Sequence, residues 1–291
     1  MLKLLVSQEH KQKHNKSATA QKQVLPMIDA DLRNFEITTQ KGELLDSNRQ
    51  IWQGLGIKQS DCALFFPAPN ALVPLRFARY MNKRKVTFVD TNEINVSTLI
   101  SLAAQLKLSN ATVKLASPAG KFPLADSAFD IAYSDLGFSS LYSEIRIDID
   151  SLTKELVRVV KPGGKIASLD ENGAPVMYPC PPEIQMIRAK LDAPRADKLI
   201  MGRRIYGAFK SNGLKNIRMS GHSRFLTSDD GEKMQVEIAR KISALEFAGN
   251  GVAKHGASVQ EIEKYKAWLN SQMDSESFMI QFNLILGVGE K

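Results

Sequence analysis

From Leu44 onward, short apolar and β-branched runs alternate with stretches whose apolar positions recur every three or four residues. That alternation predicts parallel strands joined by crossover helices. The first predicted strand is Ala63-Leu64-Phe65-Phe66, and the second is Val86-Thr87-Phe88-Val89, ending on Asp90. Asn92 or Asn95 can cap the next helix, whose apolar face runs Leu99, Ala103, Leu106. Residues 112–115 and 129–133 are the third and fourth strands. The helix that follows sets Leu152, Leu156, Val159 and Val160 on one face and stops at Lys161-Pro162-Gly163-Gly164, where proline ends it and glycine permits a turn. Residues 165–169 make the fifth strand, a helix closed by Ser211-Asn212-Gly213 precedes the sixth at 216–220, and the chain finishes in a β-rich run at 278–288.

Between the last two strands lies an excursion, residues 227–275, with two amphipathic helices. One carries Met234, Ile238, Ile242 and Leu245; the other opens on a capping box, Ser258 with Glu261, and carries Ile262, Tyr265 and Leu269. The organisation expected is therefore a basic extension at 1–43, an α/β domain made of 44–226 and 276–291, and a helical lid at 227–275. A rigid helical hairpin or a homodimer contact would use the lid's apolar faces equally well.

With 291 residues, 43% of them apolar, the chain is long enough to bury a sizeable core. Its longest apolar stretch, 62–75, is interrupted by Pro67, Pro69, Asn70 and Pro74, and falls short of the roughly 20 residues of a membrane helix. The first residues do not read as a secretory signal, because Leu4-Leu5-Val6 runs at once into a polar tract. Cys62 and Cys180 are too few for a zinc ribbon or a disulfide framework, so a cytoplasmic location is expected. Net charge is +8, and five lysines against Glu9 within residues 1–24 supply +4 of it. That extension carries no aromatic residue to stack on bases, which argues against nucleic acid as a partner. His10 and His14 stand four apart but among lysines, so no metal site is expected.

Two segments carry a resemblance. Phe122-Pro123-Leu124-Ala125-Asp126-Ser127-Ala128-Phe129-Asp130 and Leu156-Val157-Arg158-Val159-Val160-Lys161-Pro162-Gly163-Gly164-Lys165 resemble the segments leading into strands four and five of class I S-adenosylmethionine-dependent methyltransferases, particularly the small-molecule, ubiquinone/menaquinone-biosynthesis type. Residues 210–217 and the terminal Gly287-Val288-Gly289-Glu290-Lys291 are similar to the family's approach to strand six and its closing strand. The resemblance spans residues 44–291. It implies a Rossmann-like seven-stranded sheet, its last strand antiparallel, with helices on both faces and S-adenosylmethionine across the carboxyl ends of the first strands. It places the cofactor against Phe66, Ala68 and Asn70 after strand one, Asp90 and Thr91 after strand two, Ser117 and Ala119 after strand three, and Ser134 at the end of strand four. Asp90 matches the acid that accepts from ribose hydroxyls, a job suited to a carboxylate's paired oxygens.

The sequence departs from the family in the loop after strand one, Phe66-Pro67-Ala68-Pro69-Asn70-Ala71, which lacks every expected glycine. Two prolines there remove N–H donors and fix φ. Pro118 stands where the family has an acid near the adenine, leaving the N–H groups of Ala119 and Gly120 to serve. Two readings stay open: a methyltransferase with a remodelled loop acting on a small apolar or aromatic molecule, or a methyltransferase-like scaffold that binds another ligand or protein. Methyl transfer needs positioning and sometimes a base, and the candidates are Asp135, Tyr142, His222 and His255. Arg76 and Arg79 on the helix after the loop are candidates for the cofactor carboxylate. Tyr178-Pro179-Cys180-Pro181-Pro182 lacks the leading Asn or Asp of an amino-methyltransferase box and is expected to be a rigid turn into a helix at 183–191. A dehydrogenase would need Gly-x-Gly-x-x-Gly after strand one, which is absent.

Overall fold

The computed structural model describes residues 47–68, 72–81, 84–117, 121–136, 148–248 and 256–291. The chain divides into two units at Gly56/Ile57. Of the first, the described part is helix α1 (Ser47–Gly54) and the turn after it. The second is the α/β unit.

Its elements follow the predicted alternation: β1 (Ala63–Phe65), α2 (Leu72–Tyr80), β2 (Val86–Asp90), α3 (Glu93–Gln105), β3 (Ala111–Leu115), β4 (Phe129–Asp135), α4 (Ile149–Val159), β5 (Val160–Glu171), β6 (Val176–Tyr178), α5 (Pro182–Asp192), α6 (Ala196–Leu199), α7 (Met201–Ser211), β7 (Lys215–Thr227), α8 (Glu232–Ala248), α9 (Val259–Ser271) and β8 (Met279–Glu290). One sheet contains all eight strands in the order β3-β2-β1-β4-β5-β8-β6, with β7 along the other side of β8. Strands β1 to β5 are parallel, while β8 runs antiparallel to β5, β6 and β7. The sheet adds one short strand, β6, to the seven expected, because β8 begins well before it meets β5 and leaves a free edge at Met279 to Gln281 for β6 to pair with.

Both faces of the central strands are covered. On one, Leu64, Phe66, Val89, Ala132 and Ile166 pack against Leu152 and Leu156 of α4 and Met201, Ile205 and Phe209 of α7. On the other, Phe65 lies between Phe77 of α2, Phe88 and Tyr133, with ring centroids 5.4 to 5.9 Å apart. Glycine lets α7 sit close to β8: a Cβ on Gly287 would strike Ile205. Gly164 has no such room either, since its Cβ would stand 2.8 Å from the Asp130 carbonyl. The helix stops as expected, α4 ending at Val159, but Lys161-Pro162-Gly163-Gly164 lies within β5 as a bulge: Val160 pairs with Phe129, pairing resumes with Lys165 opposite Ile131, and Gly163 between them has φ +76°. Asn92, not Asn95, caps α3, its side chain accepting from the Ile94 N–H at 2.8 Å.

The two motif segments are joined by one side chain. Arg158 donates to the Leu124 carbonyl at 2.9 Å, the Phe122 carbonyl at 3.3 Å, both Glu155 oxygens and Asp126. Glu155 in turn accepts the Phe122 N–H at 2.7 Å. The strand-four approach is thus braced to α4.

The inserted helices build a second core. Met234, Ile238 and Ile242 of α8 and Tyr265 and Leu269 of α9 pack with Met177 of β6, Ile184 and Ile187 of α5, and Phe278 and Ile280. The capping box at Ser258 forms as expected, and Lys190 of α5 pairs with Glu261 of α9 at 2.5 Å, which holds the Glu261 carboxyl down at about 2. Among the described residues no helix is long and apolar enough to cross a membrane.

Arg158→Ala should lower stability by about 2–4 kcal/mol, because two carbonyls lose their donor and Glu155 is left without its cation; urea unfolding would show a lower midpoint at an unchanged slope. Burial pushes the Glu155 carboxyl up, but the hydrogen bonds and charge of Arg158 outweigh it and hold the group below its ordinary 4.5. Its contribution is present above that value and is lost as pH falls through the lowered one. The stability gap between wild type and Glu155→Gln should accordingly close in acid, and a gap independent of pH would contradict the brace.

Candidate active site at the carboxyl edge of the sheet

Of the five buried polar or charged residues among those described, Asp90, Ser134, Ser168 and Asp170 lie at or near the carboxyl ends of β2, β4 and β5; the fifth, Thr153, bonds back to the Ile149 carbonyl of its own helix. Parallel strands with both faces covered exclude polar side chains along their length, so polar groups collect where the strands end. Ser134 and Ser168 are register partners on β4 and β5. Neither is exposed, and neither hydroxyl has a hydrogen-bond partner among the described residues. Asp170, also fully buried, accepts the Glu171 N–H at 2.9 Å.

Asp90 stands where expected, at the end of β2, but its carboxylate is only 2% exposed. Oδ2 accepts the Ala68 N–H at 3.0 Å; Oδ1 accepts the Asn92 N–H at 2.8 Å and Asn95 Nδ2 at 3.2 Å. Burial pushes the carboxyl above its ordinary 3.8, and these donors together with the Thr91 N–H offset part of that rise. The loop after β1 is therefore tied to the start of α3. Phe66 continues β1 by donating its N–H to the Tyr133 carbonyl at 2.9 Å, and its ring meets Phe122 at 4.5 Å.

The other predicted residues divide. Thr91 is half-buried beside Asp90, and Ser117 is exposed after β3, where its hydroxyl accepts the Lys121 N–H at 3.1 Å. Asn70, Ala119, Tyr142 and His255 lie outside the described residues. Asp135 is the last residue of β4, half-buried, with one carboxylate oxygen fully enclosed; a loop position would have left it solvated. Arg76 and Arg79 are half-buried on α2. His222 does not follow the sixth long strand but sits in the middle of β7, because that strand pairs with β8 all the way to Thr227. Two strands, β5 and β8, separate it from Asp135, so at about 4.8 Å per step the axes of their strands stand roughly 14 Å apart. The structure brings together Phe66, Ala68, Asp90, Thr91 and Ser134, and excludes His222 from that group. Ser168 had no role assigned from the sequence, and Asn95 only that of a candidate helix cap; a serine within the apolar run Ile166-Ala167-Ser168-Leu169 was the signal for the first.

A family model described as "Methyltransferase domain" matches residues 71–168, from the start of α2 to the Ser134–Ser168 row. No curated protein matches the chain significantly. Among solved structures, the YcgJ protein of Bacillus subtilis superposes with a TM-score of 0.51 at 14% identity, over 83% of this chain and 96% of that one. Phosphoethanolamine N-methyltransferase 2 of Haemonchus contortus, in complex with phosphomonomethylethanolamine and S-adenosylhomocysteine, gives the same TM-score and identity over 84% of this chain and 52% of that one, so the chain spans about half of that enzyme. The same enzyme in complex with S-adenosyl-L-methionine superposes equally well, at 0.51 and 15% identity. The fold is that of the class I S-adenosylmethionine-dependent methyltransferases, and residues 71–168 are the part of the chain that matches the methyltransferase-domain model.

Burial lowers the His222 pKa from its ordinary 6.5, and the ring nitrogen Nε2 shares a hydrogen bond with the Ser220 hydroxyl at 2.9 Å. The unfolded chain then binds the proton more tightly, so this residue costs stability as pH falls below 6.5. A proton NMR titration should place the His222 midpoint below 6.5, and a midpoint at or above that value would be inconsistent with its burial in the sheet.

Proposed function

We propose that the chain binds S-adenosylmethionine along the carboxyl edge of β1, β2 and β4 and transfers its methyl group to a small apolar or aromatic molecule. The observation that carries the reading is the coincidence of the methyltransferase-domain match with the buried polar groups at that edge, Asp90 and Ser134 above all. Of the residues that the sequence assigns to the cofactor, Phe66, Ala68, Asp90, Thr91, Ser117 and Ser134 are described; Asn70 and Ala119 complete the set. When bound, the cofactor supplies a sulfonium methyl carbon. Held by these residues, it would offer that methyl to the acceptor's nucleophile, with the neutral thioether as leaving group.

The chain's part is to hold the acceptor in line, exclude water and take up a proton where the acceptor carries one. Asp135 is assigned that last role, because it ends β4 one residue beyond Ser134 and its carboxylate is partly enclosed. The insertion fits a lid: its core is mounted on Phe278, just before β8, and on Ile280, in the part of β8 that projects past Glu171, the carboxyl end of β5. Sharing that core with α5 and β6, it would move with them rather than as a separate hairpin.

Calorimetric titration with S-adenosylmethionine and S-adenosylhomocysteine should give saturable one-to-one binding to the full chain. Absence of binding at millimolar ligand would favour a scaffold that binds something else. Trp268 stacks on Tyr265 at 5.9 Å and meets Phe278 edge-on at 5.6 Å, so in a Trp52→Phe variant its fluorescence reports on the insertion's core. A ligand-dependent shift is expected, and a flat signal at ligand concentrations where calorimetry shows saturation would remove the moving lid.

A further inference from the structure

The Asp90 carboxylate offers roughly four lone-pair positions, and three protein N–H groups hydrogen-bond to it, from Ala68, Asn92 and the Asn95 side chain. The residue is only 2% exposed, so it presents almost no surface to a hydroxyl. A diol approaching it would have to move a group that belongs to the fold. The neighbouring acceptor Asn92 Oδ1 is spent on the Ile94 N–H that caps α3.

Asn95 is in a different position. It is the third residue of α3, half-buried rather than buried, and its Nδ2 reaches back to Asp90 Oδ1 at 3.2 Å. Because a carboxylate can only accept, the amide must turn its NH2 toward Asp90, which fixes its carbonyl oxygen away from the carboxylate. That oxygen makes no hydrogen bond among the described residues.

We infer that Asp90 is a positioning residue, clamping the Pro67–Ala68 segment and orienting the Asn95 amide, and that Asn95 Oδ1 is the group that accepts from a ribose hydroxyl of the cofactor. The Asn95 half of this rests on the cofactor reading above; the Asp90 clamp does not. Asp90 acts through two other groups: it holds the Ala68 N–H and aims the Asn95 side chain. A ribose-reading carboxylate would instead need at least one oxygen facing solvent in the empty protein.

The test has two arms on the full chain. Without ligand, amide hydrogen exchange at Ala68 and Asn92 should be slow in wild type and faster by about tenfold or more in Asp90→Asn, whose NH2 group cannot accept from both N–H donors. Unchanged protection would overturn the clamp. With ligand, calorimetry compares S-adenosylhomocysteine with its 2′,3′-dideoxy analogue. Wild type should prefer the hydroxylated ligand by about tenfold, and Asn95→Ala, which keeps the Ala68 and Asn92 backbone donors to Asp90, should bind both equally. Persistent discrimination in Asn95→Ala would assign the hydroxyls to another residue and overturn the inference. Should Asp90→Asn fold poorly, Asn95→Ala still decides the ribose contact and wild-type exchange at Ala68 still reads the clamp, since a fast-exchanging Ala68 N–H excludes it. Failure of wild type to bind either ligand would overturn the cofactor reading and Asn95's role together, leaving the exchange result to decide Asp90.

Discussion

The constraint on which the structure depends is that its central parallel strands are covered on both faces. Leu64, Phe65, Phe66, Ala132, Tyr133, Ile166 and Ala167 are all essentially inaccessible. Backbone groups in such strands must be paired within the sheet, and side chains along them must be apolar, because an unsatisfied buried polar group costs about 1–3 kcal/mol. Polarity is therefore admitted only where strands end. Placement of Asp90, Ser134, Ser168 and Asp170 follows from that exclusion as much as from any demand of chemistry.

The segments that make the family legible are braces rather than reactive groups. Arg158 ties the Phe122–Asp126 stretch to α4, Lys161 pairs with Asp130 at 2.5 Å, and Gly164 and Gly287 clear space for a carbonyl and for α7. Residues whose replacement would break packing or a multiply bonded guanidinium tolerate few alternatives. The loop after β1 has more freedom: it keeps its place through the Ala68 N–H on Asp90 even though proline stands where glycine is expected.

The insertion shows how an addition becomes part of a fold. Two amphipathic helices cannot leave their apolar faces in water, and here α5, β6 and the projecting start of β8 supply the surface that covers them. The short β6 exists because β8 outruns β5, and with it the sheet gains a platform for this second core. Lys190 and Glu261 then join two helices that are far apart in sequence.

Local periodicity alone determined the order of the long strands and helices, the capping of α9 and the existence of the insertion, and narrowed the α3 cap to Asn92 or Asn95, because these depend on residues within a turn or two of each other. Asp90 at the end of β2 and Ser134 near the end of β4 were legible for the same reason. Strand lengths were not: β5 begins at Val160 and β7 runs on to Thr227 because each has a partner strand to pair with, and pairing is decided by segments 30 to 60 residues away. That is why His222 moved from a loop to the interior of a strand. The burial of Asp90 among N–H donors was equally invisible, since those donors come from the loop after β1 and from the start of α3, and only the folded sheet brings Ala68 to it across 22 residues of chain.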